Sequence, residues 1–418
     1  MSTACASGAL YLHVPFCLRK CAYCDFASRA TQHGDARMGL YADALRAILR
    51  ALAAAGALAD VTTAYVGGGT PTMLGEALCD LVRDVRAACP RVVELTCEAN
   101  PESLDAGLAA RLADAGATRV SLGVQSLRDD ELRALGRAHD AAGAVRAMDA
   151  VTAAGLDLSC DVMCGIPLQT AGTLRDTLDA IVAHGACHVS VYPLMVEDGT
   201  PLERACSRGE LPYPDDDAQA SLMLLAADVL ARAGLSRYEV ASYARPGRAC
   251  RHNEAYWTGV SYLGLGTAAA SMLTPAQFVR LCDVVALELT QEDDDTVAHD
   301  RDDVARVRLR MTDGADALVR AVRSGAPLRA SVETLTAREA VAEDLMLGMR
   351  MTRGVSRALL DRAARTDGMG AALDAACAQA LARGLARRTP NGGLAPTRDG
   401  WLLGNELYGL FWGLAHEA

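Results

Sequence analysis

The first half of the chain alternates short apolar, β-branched runs with longer stretches in which Ala and Leu recur at helical spacing. This alternation is typical of parallel βα units, in which buried strands are linked by crossover helices. The predicted strands are Tyr11–Val14, Ala64–Val66, Val93–Cys97, Arg119–Val124, Leu158–Met163 and His188–Leu194. The predicted helices lie near Tyr41–Ala55, Leu74–Ala88, Leu104–Ala115, Ala141–Ala154 and Thr173–Ala183. Six units without a seventh or eighth predict an α/β fold built on a partial (β/α)6 barrel.

The alternation fades after about Pro201, and a helical pattern follows at Ala218–Ala233. The segment Glu292–Asp303 is strongly acidic and is predicted to be a solvated linker. Near the C-terminus, helical patterns at Glu339–Met351 and Ala371–Arg383 precede a turn-rich piece at Pro390–Pro396, which predicts a small module of winged-helix character. The expected domains are 1–200 for the barrel with its cofactor site, 201–330 for a bridging region with the acidic linker, and 331–418 for the C-terminal module.

Composition and charge exclude several classes of protein. Of the 418 residues, 51% are hydrophobic, enough for a large core, and the formal net charge is −11. A chain this acidic is not built to hold nucleic-acid phosphates, so nucleic acid is not expected as a partner. The first apolar run is too short for a secretory signal, and no run approaches the roughly 20 apolar residues of a membrane-spanning helix. We therefore expect a cytoplasmic protein that is not transmembrane, in which the 14 cysteines stay reduced.

Three cysteines, Cys17, Cys21 and Cys24, form a CxxxCxxC pattern directly after the first predicted strand. Three thiolates on one short loop suit three corners of a four-iron, four-sulfur (4Fe–4S) cluster and leave the fourth iron free to bind S-adenosylmethionine (SAM) through its amino and carboxylate groups. A structural zinc site is the main alternative, but zinc normally takes four protein ligands. Only His13 or Asp25 is close enough in sequence to supply the fourth.

Other polar and glycine residues follow the ends of the later strands. Gly67–Gly69 follows the second strand, where glycines allow a ligand to approach the backbone or simply form a tight turn. Four side chains supply the donors and acceptors that the SAM ribose, amino group and carboxylate need: Glu98, Gln125, Arg137 and Asp161. Because the C-terminal ends of parallel strands meet at one end of a barrel, we expect one shared site.

A separate motif, His252-Asn-Glu-Ala-Tyr256-Trp257, places an imidazole beside two aromatic rings. His252 is a candidate ligand of heme iron, with Tyr256 and Trp257 packed on the porphyrin. A buried histidine satisfied by core hydrogen bonds is the alternative, and residue chemistry alone does not decide between them.

Together these motifs resemble the radical SAM family of oxygen-independent coproporphyrinogen III oxidases and the related heme chaperones of the HemW type. The resemblance rests on YLHVPFC with CxxxCxxC, GGGTPT, EANP, GVQS and LGRAH, and extends from Tyr11 to near Asn405. It implies a partial (β/α)6 barrel with a C-terminal domain, and it assigns no catalytic residue. The positions that it assigns to SAM binding are Tyr11, Gly68, Gly69, Thr70, Glu98, Gln125, Arg137 and Asp161.

Three features favour the chaperone branch of this family. The oxidases carry a fourth cysteine two residues after the third, whereas Asp25 and Phe26 follow Cys24 here. The oxidases also have a longer segment before the cluster than the sixteen residues that precede Cys17. His252, Tyr256 and Trp257 match the HNxxYW heme-binding motif of the chaperones.

The expected function is therefore that of a chaperone that binds heme as cargo, together with a 4Fe–4S cluster and SAM. Its expected partners are heme-acceptor proteins, in particular respiratory enzymes, and an electron donor for the cluster. Whether the protein is an enzyme stays open. The alternatives are a coproporphyrinogen III oxidase, which would be a coproporphyrinogen dehydrogenase-type oxidoreductase, and a radical SAM enzyme with an unrelated substrate.

Overall fold

The computed structural model describes residues 8–291, 303–366 and 368–416. Thirteen strands within these ranges form one mixed sheet, and further strands form two small pairs. The strands of the main sheet are Ala9–Val14, Thr63–Gly68, Glu94–Ala99, Arg119–Gln125, Asp157–Cys164, His188–Pro193, Ser236–Arg237, Ser242–Ala244, Tyr262–Leu265, Ala270–Leu273, Leu287–Gln291, Val304–Met311 and Leu328–Thr336. The small pairs are Phe16–Cys17 with Arg29–Ala30, and Ala386–Arg388 with Leu394–Pro396.

The first six of these strands lie side by side in chain order and run parallel. All six were predicted, with ends that move by at most two residues. We call them the six central strands. They are almost wholly apolar on the faces that pack against helices, and Leu10, Leu12, Val120 and Leu122 are fully buried there.

The helices cover the central strands and extend into the C-terminal part of the chain. In chain order they are Ala36–Ala54, Glu76–Ala88, Ala106–Ala115, Asp129–Ala134, Ala141–Ala153, Ala171–Ala183, Pro201–Ser207, Asp216–Arg232, Arg251–Trp257, Pro275–Val284, Ala315–Ser324, Ala337–Gly348, Arg357–Arg365, Gly370–Ala382, Arg398–Leu402 and Gly404–Trp412. The first begins at Ala36 instead of the predicted Tyr41, because the carboxylate of Asp35 caps it by accepting from the amide of Arg37.

The sheet continues beyond the six central strands on both sides. Tyr262–Leu265 pairs parallel with Ala9–Val14, and strands of the later chain extend that edge. On the opposite side, Ser242–Ala244 pairs antiparallel with His188–Pro193. The chain after residue 200 therefore completes the same sheet, and one hydrophobic core joins it to the central strands.

A second hydrophobic core lies in the C-terminal part of the chain, between Val341 and Ala415. Helices Ala337–Gly348, Arg357–Arg365, Gly370–Ala382 and Gly404–Trp412 contribute to it, and the hairpin Ala386–Pro396 packs beside them. The predicted helices of this region are thus confirmed, and the predicted turn-rich piece forms the turn and second strand of this hairpin. The predicted acidic linker, Glu292–Asp303, lies outside the described residues except for Asp303. Among the described helices, none is both long enough and apolar enough to cross a lipid bilayer.

Candidate functional site

The loop that carries the three cysteines is fixed at several points. Cys17 ends the short strand Phe16–Cys17, whose pairing with Arg29–Ala30 closes the base of the loop. His13, near the end of the first central strand, donates from Nε2 to the carbonyl of Ala27 at 2.9 Å. The amide of Ala22 donates to the carbonyl of Leu135 at 3.0 Å, which ties the middle of the loop to a helix after the fourth strand.

The cysteines converge with most of the predicted SAM residues on one small cavity of about 130 Å³, which we call the cysteine cleft. Nine of the eleven residues predicted for the cluster and SAM line it: Cys17, Cys21, Cys24, Gly68, Gly69, Glu98, Gln125, Arg137 and Asp161. Thr70 is buried behind it, where its hydroxyl accepts from the side-chain amide of Asn100 at 2.8 Å. Tyr11 lies in a neighbouring cavity.

The thiols of the cleft are partly buried, and one positive charge lies beside them. Burial raises the pKa of the Cys17 and Cys24 thiols, so these groups need a positive partner to lose their protons. The buried guanidinium of Arg137 lies 3.3 Å from the sulfur of Cys21. Within the described residues, no group of three His, Cys, Asp or Glu side chains is gathered as a site for a metal ion.

The glycine loop is shaped by the cysteine loop beneath it. Gly68 has a φ of 114°, and a Cβ atom there would lie 2.6 Å from the ring of His13. At Gly69 a Cβ atom would lie 2.7 Å from the carbonyl oxygen of Phe16 and 2.9 Å from the sulfur of Cys17. Because these glycines have no side chains, the glycine loop can pack directly against His13 and the strand Phe16–Cys17. The sequence alone does not reveal this packing role.

Two carboxyl groups face the cleft from the third and fifth central strands, which flank the fourth. Glu98 accepts from the amide of Gly68 at 2.9 Å, and Asp161 accepts from the hydroxyl of Ser121 at 3.2 Å. Burial, reinforced by the charge of Asp161, raises the pKa of Glu98 to about 7. Burial likewise raises the pKa of Asp161 to about 6. A carboxyl group in a cavity whose pKa lies near 7 can accept a proton or a hydrogen bond from a ligand at neutral pH.

Gln125 lies at an irregularity of the fourth strand. Its φ is 63°, in the left-handed region that a residue with a side chain rarely adopts, and the pairing register shifts between Gly123 and Gln125. Such a conformation costs on the order of 1–3 kcal/mol and is often retained at functional sites. Here it places Gln125 in the wall of the cleft.

A larger cavity of about 490 Å³, which we call the central cavity, adjoins the cysteine cleft. Side chains from all six central strands line it, and Cys24, Glu98, Gln125 and Asp161 belong to both spaces. Exposed Phe26 and Met195 lie at its wall. Its size is within the range of pockets that hold cofactors and small molecules.

His252 and Tyr256 line the central cavity from the helix Arg251–Trp257. His252 is 1% exposed, and both of its ring nitrogens are hydrogen-bonded: Nδ1 to the hydroxyl of Thr63 at 3.2 Å and Nε2 to that of Tyr256 at 2.9 Å. Its ring stacks on Tyr65, with centroids 5.2 Å apart. Burial lowers the pKa of His252 to about 3, so the imidazole is neutral at physiological pH.

Glu94 is a residue that sequence reasoning missed. Its carboxylate accepts from the amides of Arg251 at 3.1 Å and His252 at 3.0 Å, and thus anchors the start of the helix that presents His252. The sequence does carry a signal, because an acidic residue within a strand predicted to be buried needs a hydrogen-bonding partner. Its partners are more than 150 residues away in the chain, which is why the signal could not be interpreted.

Trp257 does not share the cavity of His252 and Tyr256. It lines a separate groove between the helix Arg251–Trp257 and the C-terminal helices. The guanidinium of Arg350 lies 5.1 Å from the centroid of its ring. The three residues of the aromatic motif thus divide between two spaces.

Comparisons with known proteins identify relatives of this arrangement. The model of the Radical SAM superfamily matches residues 11–181. The heme chaperone HemW of Mycobacterium tuberculosis is 42% identical over 266 residues, which cover 62% of this chain and 68% of that protein. The heme chaperone HemW of Bacillus subtilis is 29% identical over 412 residues, which cover 96% of this chain and 98% of that protein.

A solved structure shares the fold over nearly the whole length. Coproporphyrinogen III oxidase (HemN) from Escherichia coli, a radical SAM enzyme, superposes with a TM-score of 0.74 at 19% identity and covers 97% of this chain and 90% of that one. The α/β fold is therefore the radical SAM fold of HemN. Together with the mycobacterial relative, these similarities confirm the resemblance carried by the motifs, and the chain belongs to the HemW heme chaperone family of the radical SAM superfamily.

Proposed function

We propose that this protein binds heme and passes it to acceptor proteins, and that it holds a 4Fe–4S cluster and SAM beside the heme site. The observation that carries the proposal is the convergence of Cys17, Cys21 and Cys24 with the glycine loop and Arg137 on the cysteine cleft, which adjoins the central cavity. Respiratory heme enzymes are the proposed acceptors. A reducing protein is the proposed electron donor, and nucleic acid is not a proposed partner.

The donor set of the cleft fits the cluster. Each cysteine of a 4Fe–4S cubane binds a different iron, so its thiols need not meet at one point as the ligands of a single zinc ion do. Cys17, Cys21 and Cys24 are the proposed ligands. When bound and reduced, a cluster of this class supplies the electron that cleaves a carbon–sulfur bond of SAM.

The remaining residues of the cleft fit SAM. Arg137 offers a buried positive charge for a carboxylate, and Glu98 and Asp161 accept hydrogen bonds from an amino group or ribose. Gly68, Gly69, Thr70 and Gln125 complete the proposed site. Tyr11 would contact the ligand from the central cavity, where it lies.

For heme, His252 is the proposed iron ligand, because its neutral imidazole lines the central cavity. Its Nε2 is bonded to the hydroxyl of Tyr256, so ligation requires that this bond open. Tyr256 and Trp257 are proposed to contact the porphyrin from the cavity and from the neighbouring groove, respectively.

The second candidate is oxidative decarboxylation of coproporphyrinogen III by radical chemistry. It is favoured by the fold shared with HemN and by a cavity at the cleft that is of a size to hold part of a tetrapyrrole. Against it, Asp25 and Phe26 follow Cys24 where the oxidases carry a fourth cysteine. The chaperone is therefore the better supported proposal.

One experiment separates the two functions. The protein is reconstituted anaerobically with iron, sulfide and SAM, and then titrated with heme and, separately, assayed with coproporphyrinogen III under a reductant. The chaperone proposal expects saturable heme binding, transfer of bound heme to an apo-acceptor and no vinyl-containing product. Decarboxylation of coproporphyrinogen III, or absence of heme binding, would contradict it.

The proposed architecture is a partial (β/α)6 barrel followed by a C-terminal module of winged-helix character, in a cytoplasmic protein. The parallel order of the six central strands supports the barrel, and helices followed by the hairpin Ala386–Pro396 support the module. The proposed division is 1–200, 201–330 and 331–418. Its second boundary is supported by the separate core between Val341 and Ala415, although the strand Leu328–Thr336 runs across it.

A further inference from the structure

A second recess reaches the cysteine cleft at Arg137. It is an open groove of about 820 Å³, lined by segments that follow the second, third and fourth central strands, and we call it the outer groove. Arg137, whose guanidinium lies 3.3 Å from the sulfur of Cys21, lines both the groove and the cleft. Among the described residues, none lines both the outer groove and the central cavity. The proposed cluster site is therefore approached from two separate sides.

Four exposed cations surround this second approach, and we call them the basic surface. Arg133 and Arg146 line the outer groove, and Arg19 and Lys20 lie on the cysteine loop. A hydrogen bond from the amide of Ala22 holds that loop against the end of the helix that carries Arg133. None of the four cations forms an ion pair with another described residue. In a chain with a net charge of −11, this is a local reversal of sign.

The acidic residues near the basic surface are engaged within the fold or lie on its other side. Asp105 and Asp140 cap helices, each by accepting from a backbone amide at 2.7 Å. Glu102 lies 3.5 Å from His139, and Asp25 lines the central cavity. With these carboxylates in the groove, a small anion is poorly matched to it. The exposed cations around it can instead pair with carboxylates spread over the surface of a partner protein.

The position of the basic surface indicates what such a partner does. The central cavity is left free for heme, whereas the outer groove leads to the guanidinium beside Cys21. A protein that reduces the cluster must approach the three cysteines closely and then leave. Electron-transfer complexes of this kind have small interfaces, and opposite charges steer their formation.

We infer that the basic surface is the docking surface for an acidic one-electron carrier protein that reduces the cluster. One electron passes from the reduced cofactor of the carrier to the cluster, so that the carrier is oxidised, the cluster is reduced, and no atom is transferred. The inference rests on the proposed function and names the class and the docking surface of its electron donor.

The rate of cluster reduction tests the charge of this surface. The reconstituted full chain is mixed anaerobically with reduced flavodoxin and, separately, with reduced ferredoxin, both chosen as acidic carriers, at low and high salt. Arg133→Glu reverses an exposed charge that has no ion pair to lose. Arg280→Glu, exposed on the helix Pro275–Val284 and outside the lining of either recess, is the matched control.

With a carrier that reduces the wild type, we expect Arg133→Glu to slow reduction about fivefold at low salt. The effect should be smaller at high salt, because salt screens exposed charges. Arg280→Glu should react as the wild type does. Illuminated deazariboflavin, a small reductant without charge, should reduce all three proteins equally, which shows that their clusters are intact.

Cross-linking with a carbodiimide locates the contact independently of cluster chemistry. The reagent joins an amine directly to a carboxylate, and Lys20 is the only lysine among the 41 lysine and arginine residues of the chain. We expect a cross-linked peptide that joins Lys20 to an acidic segment of the carrier at low salt. Lys20→Arg keeps the charge but removes the amine, so it should lose this cross-link and retain the rate of reduction.

Three results would overturn the inference and leave the proposed function intact. They are a wild-type rate in Arg133→Glu at low salt, the absence of a cross-link at Lys20, and failure of both carriers to reduce a wild-type cluster that deazariboflavin reduces. A wild type that assembles no cluster would instead overturn the proposed function, and this inference with it.

Discussion

The guanidinium Nη1 of Arg137 lies 3.3 Å from the sulfur of Cys21, although the two residues are 116 positions apart in the chain. The other terminal nitrogen of Arg137 donates to the side-chain oxygen of Asn100 at 2.6 Å and to the carbonyl of Gly123 at 2.8 Å. These bonds orient the guanidinium so that a donor faces the thiol. A buried cation is thereby fixed beside a proposed ligand of the cluster.

Arg137→Gln should lower the reduction potential of the reconstituted cluster, because reduction adds negative charge that the nearby cation stabilises. We expect a shift on the order of 60 mV, equivalent to a tenfold change in a one-electron equilibrium. A redox titration followed by electron paramagnetic resonance, without SAM, measures it. Arg133→Gln, on the same stretch of chain but outside the lining of the cleft, is the control. An unchanged potential in Arg137→Gln would show that this contact does not tune the cluster.

Cys21→Ser should abolish cluster binding, since the loss of one of three thiolates leaves two irons without protein ligands. The wild type is expected to hold about four irons and four sulfides after anaerobic reconstitution, as measured by iron and sulfide analysis. Cys282→Ser removes an exposed cysteine far from the cleft and should retain the full content. A wild type that instead retains one tightly bound zinc ion would contradict the cluster assignment.

Gly68→Ala should destabilise the cysteine loop as well as the glycine loop. Its Cβ would lie 2.6 Å from the ring of His13, and that ring holds the carbonyl of Ala27 in the cysteine loop. Gly75→Ala is a matched control, because Gly75 also has a positive φ, 57°, but a Cβ atom there would have no neighbour within 4 Å. We expect Gly68→Ala to cost about 1–3 kcal/mol more in chemical unfolding and to lower iron content. If both variants lost the same free energy of unfolding and the same iron content, backbone strain alone would explain the losses, and the contact with His13 would have no effect.

Local patterns predicted the central part of the fold well. The six central strands could be predicted from the sequence because each is a short, nearly continuous apolar run, and buried parallel strands require such runs. The pairing of Tyr262–Leu265 with Ala9–Val14 could not be predicted, because nothing in either segment specifies a partner some 250 residues away. The sheet is therefore larger than the predicted barrel.

The candidate site shows the same division between local and distant information. The residues that converge on the cysteine cleft follow strand ends, and that position alone was enough to group them. The roles of His13 beneath Gly68 and of Glu94 beneath His252 depend on contacts across the fold, and no local pattern specifies those partners. Trp257 follows Tyr256 directly in the chain, yet the helix ends there and the two side chains enter different spaces.

The folded protein should lose stability as pH rises from about 4 to about 7, in part because of Glu98. Burial raises the pKa of this carboxyl to about 7 in the fold, whereas an unfolded glutamate titrates near 4.3, so the folded state holds a proton that the unfolded chain has released. Stability falls with pH wherever the folded state binds more protons. Glu98→Gln should flatten the dependence in urea unfolding of the cluster-free protein. The exposed Glu288→Gln should leave it unchanged, and an unaltered slope in Glu98→Gln would contradict the assigned protonation.

The proposed heme ligand can be tested against an almost equivalent histidine in the same cavity. His188 is 2% exposed, lines the central cavity, and is bonded to a hydroxyl at each ring nitrogen, Ser159 at 2.8 Å and Tyr238 at 2.9 Å. Burial lowers its pKa to about 3, as it does for His252. The two residues therefore share burial, charge state and hydrogen bonding, but only His252 belongs to the HNxxYW motif.

Both His252→Phe and His188→Phe should lower the free energy of unfolding by about 1–3 kcal/mol, because each removes two buried hydrogen bonds to hydroxyl groups. If His252 ligates heme iron, His252→Phe should also weaken heme binding at least tenfold and remove the Soret feature that depends on histidine ligation, whereas His188→Phe should retain both. Iron and SAM binding at the cysteine cleft, measured in parallel, should survive in both variants. Equal heme affinity in two equally destabilised proteins would make His252 a structural residue, and the iron ligand would then have to be sought among the other side chains of the central cavity.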